Sequence, residues 1–231
     1  MDSDGLVQAA NYMPLFPVIG AIIGLVAGVA AWLIQLILPQ LIAASVGIGL
    51  LVLLNGAQHL DGLLDFGDGV MYHGSKRGKL RIMRDPTTGA GGFALGSITV
   101  LLTVFSIAAI PPSSIILGLI VAEASAILGM VFATSIGKSA HKGMNSIFIE
   151  RMHRQRTLCL GVSFVIALAI TCLAFGIVGL VAVIGASLTA LVMVALANRA
   201  FGGLTGDVLG ATNEISRTVV LLLLLVFLKW A

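Results

Sequence analysis

The strongest constraint on this chain is its succession of long apolar runs, charged only at Glu123 and Lys229: Leu15–Leu38, Leu41–Gln58, Gly91–Ile110, Ser114–Ile136, Thr157–Phe175, Ile177–Ala197 and Thr218–Trp230. A helix needs roughly 20 apolar residues to cross about 30 Å of hydrocarbon, where every backbone amide must be satisfied inside the segment. The runs predict an all-α, polytopic membrane protein with about seven transmembrane helices, organised as one integral-membrane domain over residues 1–231. Leu41–Gln58 is marginal and Thr218–Trp230 short, so tilt, partial burial or local thinning of the bilayer is expected there. Composition agrees, since 58% of the 231 residues are apolar and only 10% charged, with a mean hydropathy of +1.10. Soluble domains carry about 25% charged residues. An ordinary soluble enzyme, a disordered segment and a nucleic-acid-binding domain are therefore excluded, and the expected surroundings are a lipid bilayer with no nucleic acid partner. The first run is longer than a signal-peptide core and has no basic leader, so it is expected to stay in the mature chain. Cys159 and Cys172 fall inside one run without metal-ligand spacing and read as packing residues.

Short uncharged connectors around Pro39-Gln40, Pro111-Pro112-Ser113 and Gly176 alternate with long charged ones, Asp61–Gly89, Lys138–Arg156 and Asn198–Arg217. The long connectors hold five, five and two basic residues, so 12 of the 13 Lys and Arg lie on one face. By the positive-inside rule that face is the cytoplasm, giving three charged cytoplasmic loops, a cytoplasmic N-terminus and an external C-terminus. Gly20, Gly24 and Gly28 put small residues four apart on one helix face, which favours close helix packing. Such faces also permit a homo-oligomer.

After the second run the chain reads NGAQHLDGLLDFGDGVMYHG, with Asp61, Asp65 and Asp68 at i, i+4 and i+7. On a helix these carboxylates fall within about 60° of one another. A solvated helix end would mix signs, whereas this stretch has three Asp and no Lys or Arg before Lys76. Hard Mg²⁺ prefers such oxygens and is commonly completed by substrate phosphates, as diphosphate chemistry in a membrane requires. Next comes SKRGKLRIMRDPTTGAGGFAL, carrying Lys76, Arg77, Lys79, Arg81 and Arg84 ahead of Gly89-Ala90-Gly91-Gly92. The basic run reads either as a topogenic signal or as phosphate recognition by forked guanidinium donors and approachable amides.

The third connector, NRAFGGLTGDVLGATNEIS, places Gly202, Gly203, Thr205 and Gly206 before Asp207, with Asn213 and Glu214 following. It is either a flexible turn or the second half of the same polar site, the latter favoured by Asp207 and Glu214 seven residues apart. The middle connector offers Lys138, His141, Lys142, Asn145 and Arg151 as individually weak substrate contacts. Among the histidines only His59, two residues before Asp61, joins the candidate site; His73, His141 and His153 have no metal spacing. Glu123 stands alone in the fourth run, either a protonated buried acid or a functional group facing the bundle interior.

The blocks HLDGLLDFGDG, KLRIMRDPTTGAGGFAL and GGLTGDVLGATNE resemble, in order and spacing, the signatures of the adenosylcobinamide-GDP ribazoletransferases, also called cobalamin-5'-phosphate synthases. They cover about a fifth of the chain, and the hydrophobic layout matches over nearly all of it. Arg81 stands where the family usually has an acidic residue before Ile-Met, and Pro86 where it usually has Ser; neither touches the three-Asp run. The resemblance implies a Mg²⁺-dependent enzyme of the cytoplasmic membrane. It would join adenosylcobinamide-GDP to α-ribazole or its 5'-phosphate, giving adenosylcobalamin or its 5'-phosphate and GMP. Asp61, Asp65, Asp68 and Asp207 are then the expected catalytic and metal-binding residues. His59, Lys76, Arg77, Arg81, Arg84, Gly202, Gly203, Thr205, Gly206, Asn213 and Glu214 are the expected contacts to the corrinoid-GDP and α-ribazole substrates.

Three rivals share parts of this pattern. A CDP-alcohol phosphotransferase would start D-x-x-D-G-x-x-A-R, and here the pattern is D-G-x-x-D-x-x-D without Ala-Arg. A prenyltransferase would carry a second Asp-rich motif, whereas Asp207 is alone in its connector. A transporter would spread charged residues through its spans, and here Glu123 alone stands in mid-span, with Lys229 at the very end of the last run.

Overall fold

A computed structural model describes residues 11–141, 146, 149–150, 152–153 and 156–228. Among them are nine α-helices: α1 Phe16–Gln35, α2 Gln40–Leu54, α3 Gln58–Met71, α4 Lys76–Ile82, α5 Ala90–Ala109, α6 Ile115–Ile136, α7 Arg156–Phe175, α8 Ile177–Ala200 and α9 Gly206–Leu228. Among the described residues six helical segments are long and apolar enough to cross a membrane, or up to seven if the bent pair α2 and α3 counts as one span. The all-α polytopic expectation holds on this count.

Two spans differ from their sequence reading. The short last run is the tail of a full-length helix that begins at Gly206, twelve residues earlier than Thr218. The charged connector Asn198–Arg217 is therefore mostly helix, and only residues 201–205 between α8 and α9 remain to turn the chain. Polar Thr212, Asn213, Glu214 and Arg217 hid this helix from a hydropathy reading, because they are buried inside the bundle. Arg217 accordingly lies in the interior and reports nothing about sidedness. The second run ends as a helix at Leu54, and the axis then turns by 92° into α3. Gly56 and Ala57 make that corner with positive φ values of 62° and 59°. Such a conformation is cheap for glycine and costs alanine about 1–2 kcal/mol. With three carboxylates on it, α3 packs along the first turns of α9 and α5, its Gly62 against Asp207 and its Gly67 against Gly91 and Gly92.

Helix α6 is the hub, with 72% of its most apolar stretch buried against 22% for α7. The Gly20, Gly24, Gly28 stripe of α1 packs directly on it: a Cβ on Gly24 would stand 2.4 Å from the Leu119 carbonyl oxygen. The expected small-residue packing thus occurs within the chain, and that stripe is not available to a second copy. At the far end Gln35 and Gln40 donate to the carbonyls of Pro112 and Ile110. The three long connectors meet at the near end. Leu204 donates to the Lys138 carbonyl (2.7 Å) and Ala140 to the Leu204 carbonyl (2.9 Å), while the Lys76 ammonium reaches the Asn198 carbonyl (3.1 Å). Beneath them Leu63, Phe66, Met83, Met193, Phe201, Leu204 and Val208 form an apolar floor, with Phe66 and Phe201 edge to face at 5.9 Å.

Candidate active site

Helix α3 turns Gly62, Leu63, Phe66 and Gly67 inward and leaves Asp61 exposed, with Asp65 and Asp68 half-buried. The predicted helical stacking of the three carboxylates is what the structure shows. Asp68 is committed locally, since its two oxygens accept from the amides of Gly89 and Gly92, each at 2.7 Å. These are among the amides at the start of α5 that no helical carbonyl can reach. Asp68 thereby ties α3 to α5 and places a negative charge at the positive end of the α5 dipole. Gly91 and Gly92 are required by this contact, because a Cβ on either would press on α3.

Asp65 has the most perturbed environment of the group. Burial, then the charges of Asp61, Asp207 and Asp68, push its carboxyl up to about 7. Asp207, in the first turn of α9, completes the set. Its carboxylate accepts from the Thr205 hydroxyl (3.2 Å), and Thr205 also caps α9 by accepting from the Val208 amide (3.2 Å). Asp61, His141 and Arg84 lie within electrostatic reach of Asp207. Among the described residues no three His, Cys, Asp or Glu side chains converge tightly enough to hold a metal ion as they stand. The four carboxylates are close enough to repel, and a divalent cation among them would relieve that repulsion.

The five basic residues after the cluster divide by role. Lys79 caps α3, donating to the carbonyls of Gly69 (3.0 Å), Val70 (2.8 Å) and Tyr72 (2.6 Å). Lys76 serves Asn198 near the end of α8. Arg77 and Arg81, one turn apart on α4, and Arg84 just beyond it stay exposed. Asp85 accepts from the amide (3.0 Å) and hydroxyl (2.5 Å) of Thr87, and Pro86 sits between them in a turn that suits its fixed φ.

Within the turn before α9, Gly202 has φ +86°, and a Cβ on Gly203 would meet the Lys138 carbonyl oxygen at 2.6 Å. These glycines let the turn lie against residues 138–140, while Gly206 faces open space. Lys138 is exposed and His141 half-buried at the same end; Lys142, Asn145 and Arg151 lie outside the described residues.

His59, Asn213 and Glu214 lie deeper than the sequence suggested. Asn213 is fully buried, with its carbonyl oxygen accepting from Arg217 at 3.0 Å. Glu214 and Glu123 each pair with that arginine. Glu123 is thus not alone: Arg217 is its partner, at 1% side-chain exposure against 0% for Glu123. His59 faces Glu214, Arg217 and Asn213 from α3. Arg217 was the residue missed from sequence. Its signals were an intramembrane acid that needed a partner and the i, i+3 spacing from Glu214.

Fold and site together define an integral-membrane protein whose carboxylates and guanidinium groups gather at one end of a helical bundle. A family profile of the cobalamin-5-phosphate synthases matches residues 2–225, and the chain belongs to that family. Its relatives include adenosylcobinamide-GDP ribazoletransferases of Methanosarcina mazei, 31% identical over 98% of this chain and 86% of the relative, and of Methanocella arvoryzae, 36% identical over 92% and 84%. The enzyme of the same name from Pyrococcus furiosus is 37% identical over 73% of this chain and 72% of its own. No solved structure matches the chain.

Proposed function

We propose that the chain is a membrane-embedded adenosylcobinamide-GDP ribazoletransferase working by Mg²⁺-assisted phosphoryl transfer, with its loops on the cytoplasmic side of the cytoplasmic membrane. Family membership supports the reaction. The close seat of α3 on α9 at Gly62 and Asp207, which gathers four carboxylates and with burial pushes the Asp65 carboxyl up to about 7, carries the site assignment. Four acids arranged at this mutual cost fit a hard cation and the diphosphate it accompanies. Asp61, Asp65 and Asp207 would hold Mg²⁺, with Asp68 adding any lone pair left over from its two amides. Bound there, Mg²⁺ would neutralise charge on the diphosphate of the corrinoid-GDP.

The chain's own residues orient the reactants. Arg77, Arg81 and Arg84 offer forked donors to phosphate oxygens beside the carboxylates. Gly206, which has open space where a Cβ would stand, leaves room next to Asp207 for the nucleotide. The ribose hydroxyl oxygen of α-ribazole bonds to the phosphorus attached to cobinamide, the bond from that phosphorus to GMP breaks, and GMP leaves with the electron pair. The hydroxyl proton passes to a nearby carboxylate of the cluster.

Purified protein in lipid, given adenosylcobinamide-GDP and α-ribazole, should release GMP and a cobalamin of matching mass only with Mg²⁺. A folded preparation that makes neither product refutes the reaction, and equal turnover in chelator refutes the cation.

A further inference from the structure

Three observations converge on the interior of the bundle below the site. First, Arg217 of α9 pairs with Glu123 of α6 and with Glu214 one turn earlier on its own helix, and donates to Asn213, all buried. Ten residues separate Asp207 from Arg217, about 15 Å along the helix, so the cluster lies midway along α9, a helix long and apolar enough to cross a membrane. Second, α3 lies on α9 without clearance at two points. Cβ atoms on Gly62 and Gly210 would stand 2.8 Å from the Asp207 Cα and 3.0 Å from the His59 Cα. The side chain of His59 also faces Asn213 and Glu214. Third, the carboxylates of the candidate site are split between these two helices, with Asp61, Asp65 and Asp68 on α3 and Asp207 on α9.

Charged residues buried in a bilayer are expensive, and apolar replacements of similar volume often fold as well or better. Stability alone therefore does not account for a guanidinium held between two carboxylates. We infer that Glu123, Arg217 and Glu214 form a positioning brace that fixes the register of α9 against α6 and, through Asn213 and His59, the seat of α3 on α9. The brace sets the separation between Asp207 and the α3 carboxylates without touching the reactants. Forked, directional hydrogen bonds select one register, whereas apolar packing of small residues tolerates sliding.

The inference rests on the site assignment above, but its test does not need turnover to be read. In the Glu123→Leu/Glu214→Leu/Arg217→Met protein the melting temperature should stay near that of the wild type. Amide hydrogen exchange across residues 58–71 should accelerate about tenfold or more, as the seat of α3 loosens. With the ribazoletransferase assay, kcat should fall roughly 10- to 100-fold with KM for the corrinoid-GDP nearly unchanged, as displacement of reacting groups by about 1 Å does. Glu123→Gln, which keeps volume and one hydrogen bond, should show the same split more weakly, and it serves if the triple variant fails to fold. Unchanged exchange in α3 overturns the brace whether or not turnover falls. A failed ribazoletransferase assay in wild-type protein overturns the functional reading and leaves the exchange result standing.

Discussion

Gly62 and Asp207 meet with no gap between their helices: a methyl group built on Gly62 would stand 2.8 Å from both the Asp207 Cα and its carbonyl oxygen. Backbone cannot yield as a flexible side-chain tip can. Gly62→Ala should therefore lift α3 from α9, separating Asp61 and Asp65 from Asp207. We expect overpacking to cost about 1–3 kcal/mol of stability and activity to fall far more than stability, at least tenfold. Thermal melts beside steady-state rates check this.

Asp61 and Asp68 should respond differently to the same change. Asp68 bonds two amides that would otherwise be orphaned at the start of α5, so Asp68→Ala should lower stability by about 1–3 kcal/mol as well as activity. Asp61 is exposed, so Asp61→Ala should abolish turnover with an unchanged melt. Comparable destabilisation by both would refute the division.

The carboxyl of Asp65, at about 7, gives a signed pH dependence. The native acid holds its proton to higher pH than the unfolded chain does, so this group makes the metal-free protein less stable as pH rises from about 4 to 7. Cation binding requires the carboxylate and must expel that proton. Mg²⁺ affinity should therefore weaken by up to tenfold per unit as pH falls below 7, and level off above. Asp65→Asn should flatten the profile, measured by calorimetric titration at several pH values.

Capping lysines and exposed arginines should separate in kinetics. Lys79→Ala removes the cap from the α3 carbonyls of Gly69 and Val70 and from that of Tyr72 just beyond and should cost about 1–2 kcal/mol of stability. Arg77→Ala and Arg81→Ala should leave the melt unchanged while raising KM for the corrinoid-GDP several-fold and weakening its dependence on salt.

Much of this was legible because hydropathy and acid spacing are local signals. The apolar runs marked the spans, and the i, i+4, i+7 aspartates marked one face of α3. Less legible was what depends on partners distant in sequence. Arg217 looked like a loop cation because its counter-charge, Glu123, lies 94 residues away, and the buried polar stretch Thr212–Thr218 disguised half of α9 as a connector. The corner at Gly56-Ala57 was hidden in a run apolar enough to pass for the end of a span. Lys76 and Lys79 looked like phosphate ligands or topogenic charge, since only the folded chain shows which carbonyls they cap.

The proposed chemistry needs a divalent cation held jointly by α3 and α9. Paramagnetic resonance of Mn²⁺ titrated into the protein in lipid at pH 8, in place of Mg²⁺, tests it most directly. Binding should be saturable, displaced by Mg²⁺ and lost in both Asp65→Asn and Asp207→Asn, each of which stays folded. Binding that survives either substitution undiminished, or no saturable binding in a protein that turns over, would contradict it.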